Sequence, residues 1–145
     1  MSKKVYDAVS KPTELEKHEI VEFLHEHLEQ YRDAKQDIKR ALDYAVKETT
    51  SFGGFILIAH EGESIRGAVV VNRTGMEGYI PPNILVYIAI HKESRGKGLG
   101  KDLLDYAINY AKGDIALHVE KDNPARFLYK KVGFTTPYLE MRLKK

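Results

Sequence analysis

Residues 88–100 read Ile88-Ala89-Ile90-His91-Lys92-Glu93-Ser94-Arg95-Gly96-Lys97-Gly98-Leu99-Gly100, and this stretch decides the fold. Ile84 to His91 is apolar on nearly every residue, as expected of a central strand covered on both faces. The run then passes through a basic, glycine-rich turn into a segment carrying Leu99, Leu103, Leu104, Ala107, Ile108 and Ala111 at helical spacing. Gly113 follows Lys112 where a left-handed stop and a favourable cation belong. Such a strand–turn–helix suits a pyrophosphate. Glycines 96, 98 and 100 remove Cβ atoms that would hold an anion away, and the first free N–H groups of the helix point at whatever sits there. Arg95, Lys97 and Lys101 add positive charge.

Two better-known phosphate loops do not fit. A Walker loop needs glycine five residues before its Gly-Lys pair and Ser or Thr after it, where Arg95 and Asp102 stand. A dinucleotide fingerprint needs a third glycine five residues after the first, where Lys101 stands, and belongs early in a βαβ unit. The bland alternative for the loop alone is a flexible connection with solvated lysines.

Working outward toward the N-terminus, Pro81-Pro82 interrupts the chain ahead of the strand. Phe55 to Ala59 and Ala68 to Val71 are β-rich runs separated by Glu61-Gly62-Glu63-Ser64, which reads as a hairpin. Thr13 with Glu16 forms a capping box for a helix bearing Leu15, Val21, Leu24 and Leu28. A second amphipathic helix carries Ile38, Ala41, Leu42, Ala45 and Val46 on one face, and Val5 to Val9 is a weak first strand. Toward the C-terminus, Ile115 to Val119 reads as a strand and Pro124 to Val132 as a short helix stopped by Gly133. Phe134 to Leu143 then closes the sheet, with Met141 to Lys145 an edge strand ended by solvated charge. Strands bracketed by helices imply an α/β fold, a three-layer α/β/α sandwich with a mixed central sheet, in a single domain spanning 1–145.

Composition bounds the function. With 145 residues and 43% apolar content the chain can bury one core. Its 23 basic and 21 acidic residues are interspersed, so nucleic acid is not expected as a partner. The absence of cysteine excludes a thiolate nucleophile and a Cys-ligated zinc site, and no metal is expected. The N-terminus lacks a secretion signal and no apolar run approaches the ~20 residues of a membrane span, so no membrane is expected and the cytoplasm is the simplest address.

The sequence resembles the GNAT superfamily of N-acetyltransferases, whose acyl-CoA loop Arg/Gln-x-x-Gly-x-Gly/Ala is met by Arg95, Gly98 and Gly100. A second motif of that family, Leu-Tyr followed after three residues by Gly-Phe, is met by Leu128-Tyr129 and Gly133-Phe134. The close likeness covers Ile84 to Phe134. It implies acetyl-CoA as cosubstrate and direct transfer to an amine of a small molecule or peptide in a ternary complex. By resemblance, the loop from Arg95 through Gly96, Lys97, Gly98, Leu99, Gly100 and Lys101 holds the pyrophosphate. Backbone groups of Ile88 and Ile90 pair with the pantetheine arm, and the Ile88 amide faces the thioester oxygen. Tyr129 matches the tyrosine that protonates the departing thiolate, its alternative being a packing role beside Phe127 and Leu128.

Two places depart from the family pattern. Asp122 stands where a pantetheine-contacting Asn is common, with Asn123 one residue later as the candidate contact, although either can cap the helix. Ile84 to Tyr87 carry no carboxylate to act as base; Glu77, Tyr79 and Asn83 lie on the approach to the strand, with Glu77 the candidate base against a solvated turn residue, and an amine arriving partly neutral needs no dedicated base. That gap keeps alive a non-catalytic CoA-binding module, and a nucleotide-binding domain is a third reading. His25 and His27 do not share a helix face as metal ligands, His91 is expected to hydrogen-bond the turn, and His118 lines the acyl channel or packs in the core. Glu14, Glu16, Glu19, Glu22, Glu26 and Glu29 read as a wet helix face or a cleft for a cationic amine. A terminal edge strand could pair with a second copy into a homodimer.

Overall fold

The computed structural model describes residues 1–145. Its five strands, β1 (Ser2–Tyr6), β2 (Gly54–Glu61), β3 (Ser64–Arg73), β4 (Asn83–Ile90) and β5 (Ile115–Leu117), form one sheet in sequence order. Successive pairs from β1 to β4 are antiparallel, whereas β4 and β5 run parallel because helix α3 (Leu99–Tyr110) must return the chain between them. The other helices are α1 (Glu14–His27), α2 (Lys35–Ala45) and α4 (Ala125–Lys131).

Alternation along the strands divides the core. Ile56, Ile58, Ala68, Val70, Tyr87 and Ala89 pack under α1 and α2 with Leu24, Ile38 and Leu42. Leu57, Ala59, Val69, Val71 and Leu85 pack under α3 and α4 with Leu103, Leu104, Ala107 and Tyr129. The architecture is the three-layer mixed-sheet sandwich expected. The capping box also forms: the Glu16 amide donates to Thr13 Oγ1 at 3.1 Å and the Thr13 amide donates to Glu16 Oε1 at 2.8 Å.

Three expectations need correction. Leu15 is 67% exposed, because the face of α1 that meets the sheet is set by Ile20, Phe23, Leu24 and His27 instead. The first strand begins and ends earlier than Val5 to Val9, and Val9 lies outside it, 94% exposed. No strand follows β5: residues 132–145 adopt no regular element after α4, and Tyr138, Leu139, Met141 and Leu143 are exposed. An alternating sequence alone does not make a strand, since its amides and carbonyls need a neighbouring ladder, and this segment pairs with none.

Two features of β4 position the site. Its register against β3 passes from Val70 opposite Tyr87 to Val71 opposite Leu85, so Val86 is an extra, bulged residue. The bulge turns both Val86 and Tyr87 toward α1 and α2, and returns Ile88 to the α3 side. Pairing of β4 with β5 stops at the same place, after Leu85 opposite Leu117. The five residues from Val86 to Ile90 therefore run about 16 Å with no strand on that side.

Candidate active site

The His91 amide donates to Arg66 O on β3 at 2.9 Å, so the Ile90–His91 peptide turns its carbonyl to the opposite side. By strand alternation the N–H and C=O groups of Ile88 and Ile90 share that direction, into the gap where β5 has departed. This open edge can accept one extended chain as if it were a strand.

At the end of the gap stands the glycine-rich turn. Gly96 and Gly98 have φ of +75° and +84°, a left-handed conformation that side chains disfavour, and a Cβ at either would meet open space. Gly98 caps α3, whose first-turn amides at Leu99, Gly100 and Lys101 have no helical acceptor. A cavity of ≈ 350 Å³ adjoins the turn on the side of the β1 start and the β2 end; its lining is mixed in charge, with Met1, Glu61 and Asp102 as well as Ser94, Lys97, Gly98 and Leu99. Gly100 has a different purpose from the one expected. A Cβ there would lie 3.3 Å from Leu128 Cδ2 and 3.6 Å from Ile90 Cγ1, so this glycine lets α3 approach α4 and β4.

The basic residues also divide. Lys97 has no ion-pair partner, while Lys101 pairs with Asp105 at 2.7 Å along α3. Arg95 turns back into the protein: its Nε donates to Ile90 O at 3.1 Å, Nη2 to His27 O at 2.9 Å, and Nη1 to Glu29 Oε1 at 2.5 Å. Its guanidinium ties the loop to the end of α1. Behind it, His27 is buried and stacks on His91 with ring centroids 4.3 Å apart. His27 Nδ1 accepts the Lys92 amide at 3.3 Å, and burial followed by the nearby His91 lowers its pKa, which keeps that nitrogen free to accept. His91 Nδ1 accepts the Glu93 amide at 3.1 Å, the turn bond expected of it.

Tyr129 on α4 is buried, 8% exposed, in the core cluster packed under α3, with Phe134 edge-on at 5.8 Å. Burial, then the negative charge of Glu120, pushes its pKa up to about 12. Its hydroxyl therefore stays protonated through neutral and moderately alkaline pH. Asn123 is engaged locally: its Oδ1 accepts the Ala125 amide at 2.9 Å and its Nδ2 donates to Glu120 at 3.2 Å, an Asx turn just ahead of α4, whose cap residue is Pro124. Glu77 is exposed in the β3–β4 connection, beyond the Asn83 end of β4 and remote from the glycine turn. His118 is exposed and belongs to no core cluster.

Sequence reasoning missed the segment 29–33 that leaves α1. It contains a short 3-10 turn, Glu29–Tyr31, entered through Glu29 at φ +55°. Alternate residues are pinned to three different walls of the gap. Glu29 holds Arg95 of the loop, the Tyr31 hydroxyl donates to Asp122 O at 3.1 Å beyond β5, and Asp33 Oδ2 accepts the Tyr87 hydroxyl at 2.6 Å on β4. The segment bridges the mouth of the split sheet. No periodicity marks it, and only the lack of a helical pattern between α1 and α2 hints at a loop with contacts to make.

The strand edge left open where β4 and β5 part thus runs into the glycine-rich start of α3. The acetyltransferase (GNAT) domain family matches residues 52–136, and the chain belongs to that family. A curated relative, the 5-NmdU N-acetyltransferase of Pseudomonas phage PaMx11, is 30% identical over 117 residues, covering 76% of this chain and 81% of the phage protein. Among solved structures, the ribosomal-protein-alanine N-acetyltransferase of Brucella melitensis biovar Abortus 2308 superposes with a TM-score of 0.68 at 16% identity, over 99% of this chain and 98% of that one. A transcriptional regulator from Bacillus halodurans C-125 superposes at 0.67 with 22% identity, over 99% and 100%. These two show likeness of fold. The chain is a GNAT acetyltransferase by family.

Proposed function

We propose that this protein transfers an acetyl group from acetyl-CoA to a primary amine by direct attack in a ternary complex, within one domain spanning 1–145. The observation that carries the reading is the unpaired edge of β4 from Val86 to Ile90, leading into free amides at the start of α3. Acetyl-CoA supplies an acyl group activated as a thioester. The amides from Gly96 to Lys101, with the unpaired Lys97 side chain, bind its pyrophosphate. The Ile88 C=O and the Ile90 N–H hold the pantetheine amides in strand fashion, while the Ile90 carbonyl is held by Arg95. The Ile88 N–H, next after the bulged pair, donates to the thioester oxygen as charge develops on it. Tyr129 gives its proton to the departing sulfur. Arg95 acts by fixing the loop rather than by touching phosphate.

The amine named for the phage relative, 5-NmdU, is the first acceptor to offer this chain. Thiol release from acetyl-CoA in its presence tests the reading, with Tyr129→Phe expected to lower kcat by about 10²-fold without weakening acetyl-CoA binding. Acetyl-CoA binding without thiol release across an amine panel would instead make the chain a CoA-binding module.

A further inference from the structure

We infer that Asp33 binds the ammonium group of the acceptor and takes its proton, supplying from the α1–α2 connection the carboxylate that β4 lacks. This rests on the transfer reaction proposed above. Asp33 is exposed, yet Tyr87, itself 8% exposed, holds its Oδ2 at 2.6 Å. Tyr87 immediately precedes Ile88, and the bulge at Val86 aims its side chain at the α1–α2 face.

The cations next to it in the chain make their recorded contacts with other groups. Lys35 Nζ pairs with Glu22 at 2.7 Å, Arg32 Nε donates to Glu29 O at 2.7 Å, and Arg40 pairs with Asp37 at 2.8 Å. Asp33 makes no ion pair, and on this pinned segment its one protein hydrogen bond is to Oδ2, from Tyr87. Tyr31, two residues earlier, ties the same segment across the gap to Asp122. Tyr129 stands on the α3–α4 side of the sheet and Asp33 on the α1–α2 side, so amine and leaving sulfur are served from opposite faces.

The reaction balances with these groups. The ammonium loses one proton to Asp33, which passes it to solvent. The neutral nitrogen forms the C–N bond to the acyl carbon as the C–S bond breaks, and Tyr129 protonates the sulfur. The second proton lost by nitrogen restores Tyr129 through solvent, and the net products are amide, thiol and one proton. The acceptor class that follows is an amine carrying a full positive charge at neutral pH.

The test compares wild type with Asp33→Asn, which keeps an acceptor oxygen for Tyr87 but loses the charge, and with Tyr87→Phe, which keeps the charge. Each protein is assayed for thiol release with 5-NmdU, with benzylamine, and with hydroxylamine, which is neutral at pH 7. Its melting temperature is measured with and without acetyl-CoA. Asp33→Asn should lower kcat/KM for the cationic amines by about 10²-fold, leave hydroxylamine nearly unchanged, and keep the full acetyl-CoA melting shift. Tyr87→Phe should have a smaller effect in the same direction. Equal activity of Asp33→Asn with benzylamine, an equal loss with hydroxylamine, or a lost acetyl-CoA shift would each overturn the assignment. A wild-type protein that releases no thiol with any of the three amines would overturn the transfer reaction itself, and the role of Asp33 with it.

Discussion

Arg95 Nη1 lies 2.5 Å from Glu29 Oε1, joining the glycine-rich turn after β4 to the segment that leaves α1. Both side chains are substantially exposed, so their attraction is screened and adds little to global stability. Its effect is local, because the same guanidinium also holds Ile90 O and His27 O.

Arg95→Gln should therefore weaken acetyl-CoA roughly tenfold, through three lost charge-assisted hydrogen bonds that order the loop, with only a small drop in melting temperature. Glu29→Gln should weaken it less. Titration calorimetry on both variants and on the double variant should give non-additive losses, since the residues share one contact.

Gly98→Ala and Gly100→Ala separate two uses of glycine in one motif. At Gly98 the left-handed backbone costs a methyl-bearing residue about 1–2 kcal/mol, and the added Cβ enters open space where the anion belongs, so affinity for acetyl-CoA should fall sharply. At Gly100 the methyl would meet only the end of Leu128 at 3.3 Å, with Ile90 at ordinary contact distance, so denaturant melts and acetyl-CoA affinity should both change much less than at Gly98.

Lys17 is 3% exposed and bridges Asp43 at 2.8 Å and Glu14 at 3.2 Å. Burial opposes its charge, but the bonds to Asp43 and Glu14 outweigh that and raise its pKa, while Lys17 and Lys39 together lower the pKa of Asp43 against its own burial. Lys17→Ala should destabilise by roughly 3 kcal/mol in urea titration, by leaving a half-paired carboxylate between α1 and α2.

Tyr129 titrates near 12 when folded and near 10 when unfolded. The folded state then holds the proton more tightly, so this contribution is complete below pH ~10 and is lost as pH rises from ~10 toward 12. It amounts to on the order of 2–3 kcal/mol, and Tyr129→Phe should flatten the alkaline limb of the stability profile measured by circular dichroism.

How far these features could be read in the sequence depended on how local their causes are. The strand–turn–helix at 84–111 and the capping box at Thr13 are written in neighbouring residues, and both formed. The bulge at Val86 was invisible, because β4 is apolar on both sides of it and only pairing with β3 exposes the extra residue. The contacts of Glu29, Tyr31 and Asp33 are equally non-local, reaching partners 54 to 91 positions away. For the same reason Glu77 stood out before Asp33 did: it is near β4 in sequence, whereas Asp33 is near it in space. The tail misled because its alternation is real, while pairing depends on a neighbour.

The central claim is that the turn from Arg95 to Lys101 holds acetyl-CoA. The most direct measurement is the melting temperature with and without saturating acetyl-CoA, with ATP and NAD as controls, for wild type and for an Arg95→Glu, Gly98→Glu variant. At about 100 times the dissociation constant, binding adds about 2.7 kcal/mol, a rise of roughly 5 to 10 °C for a chain of this size. A rise specific to acetyl-CoA and absent in the variant is the predicted result. An unshifted wild type, or an equal rise with ATP, would contradict the claim.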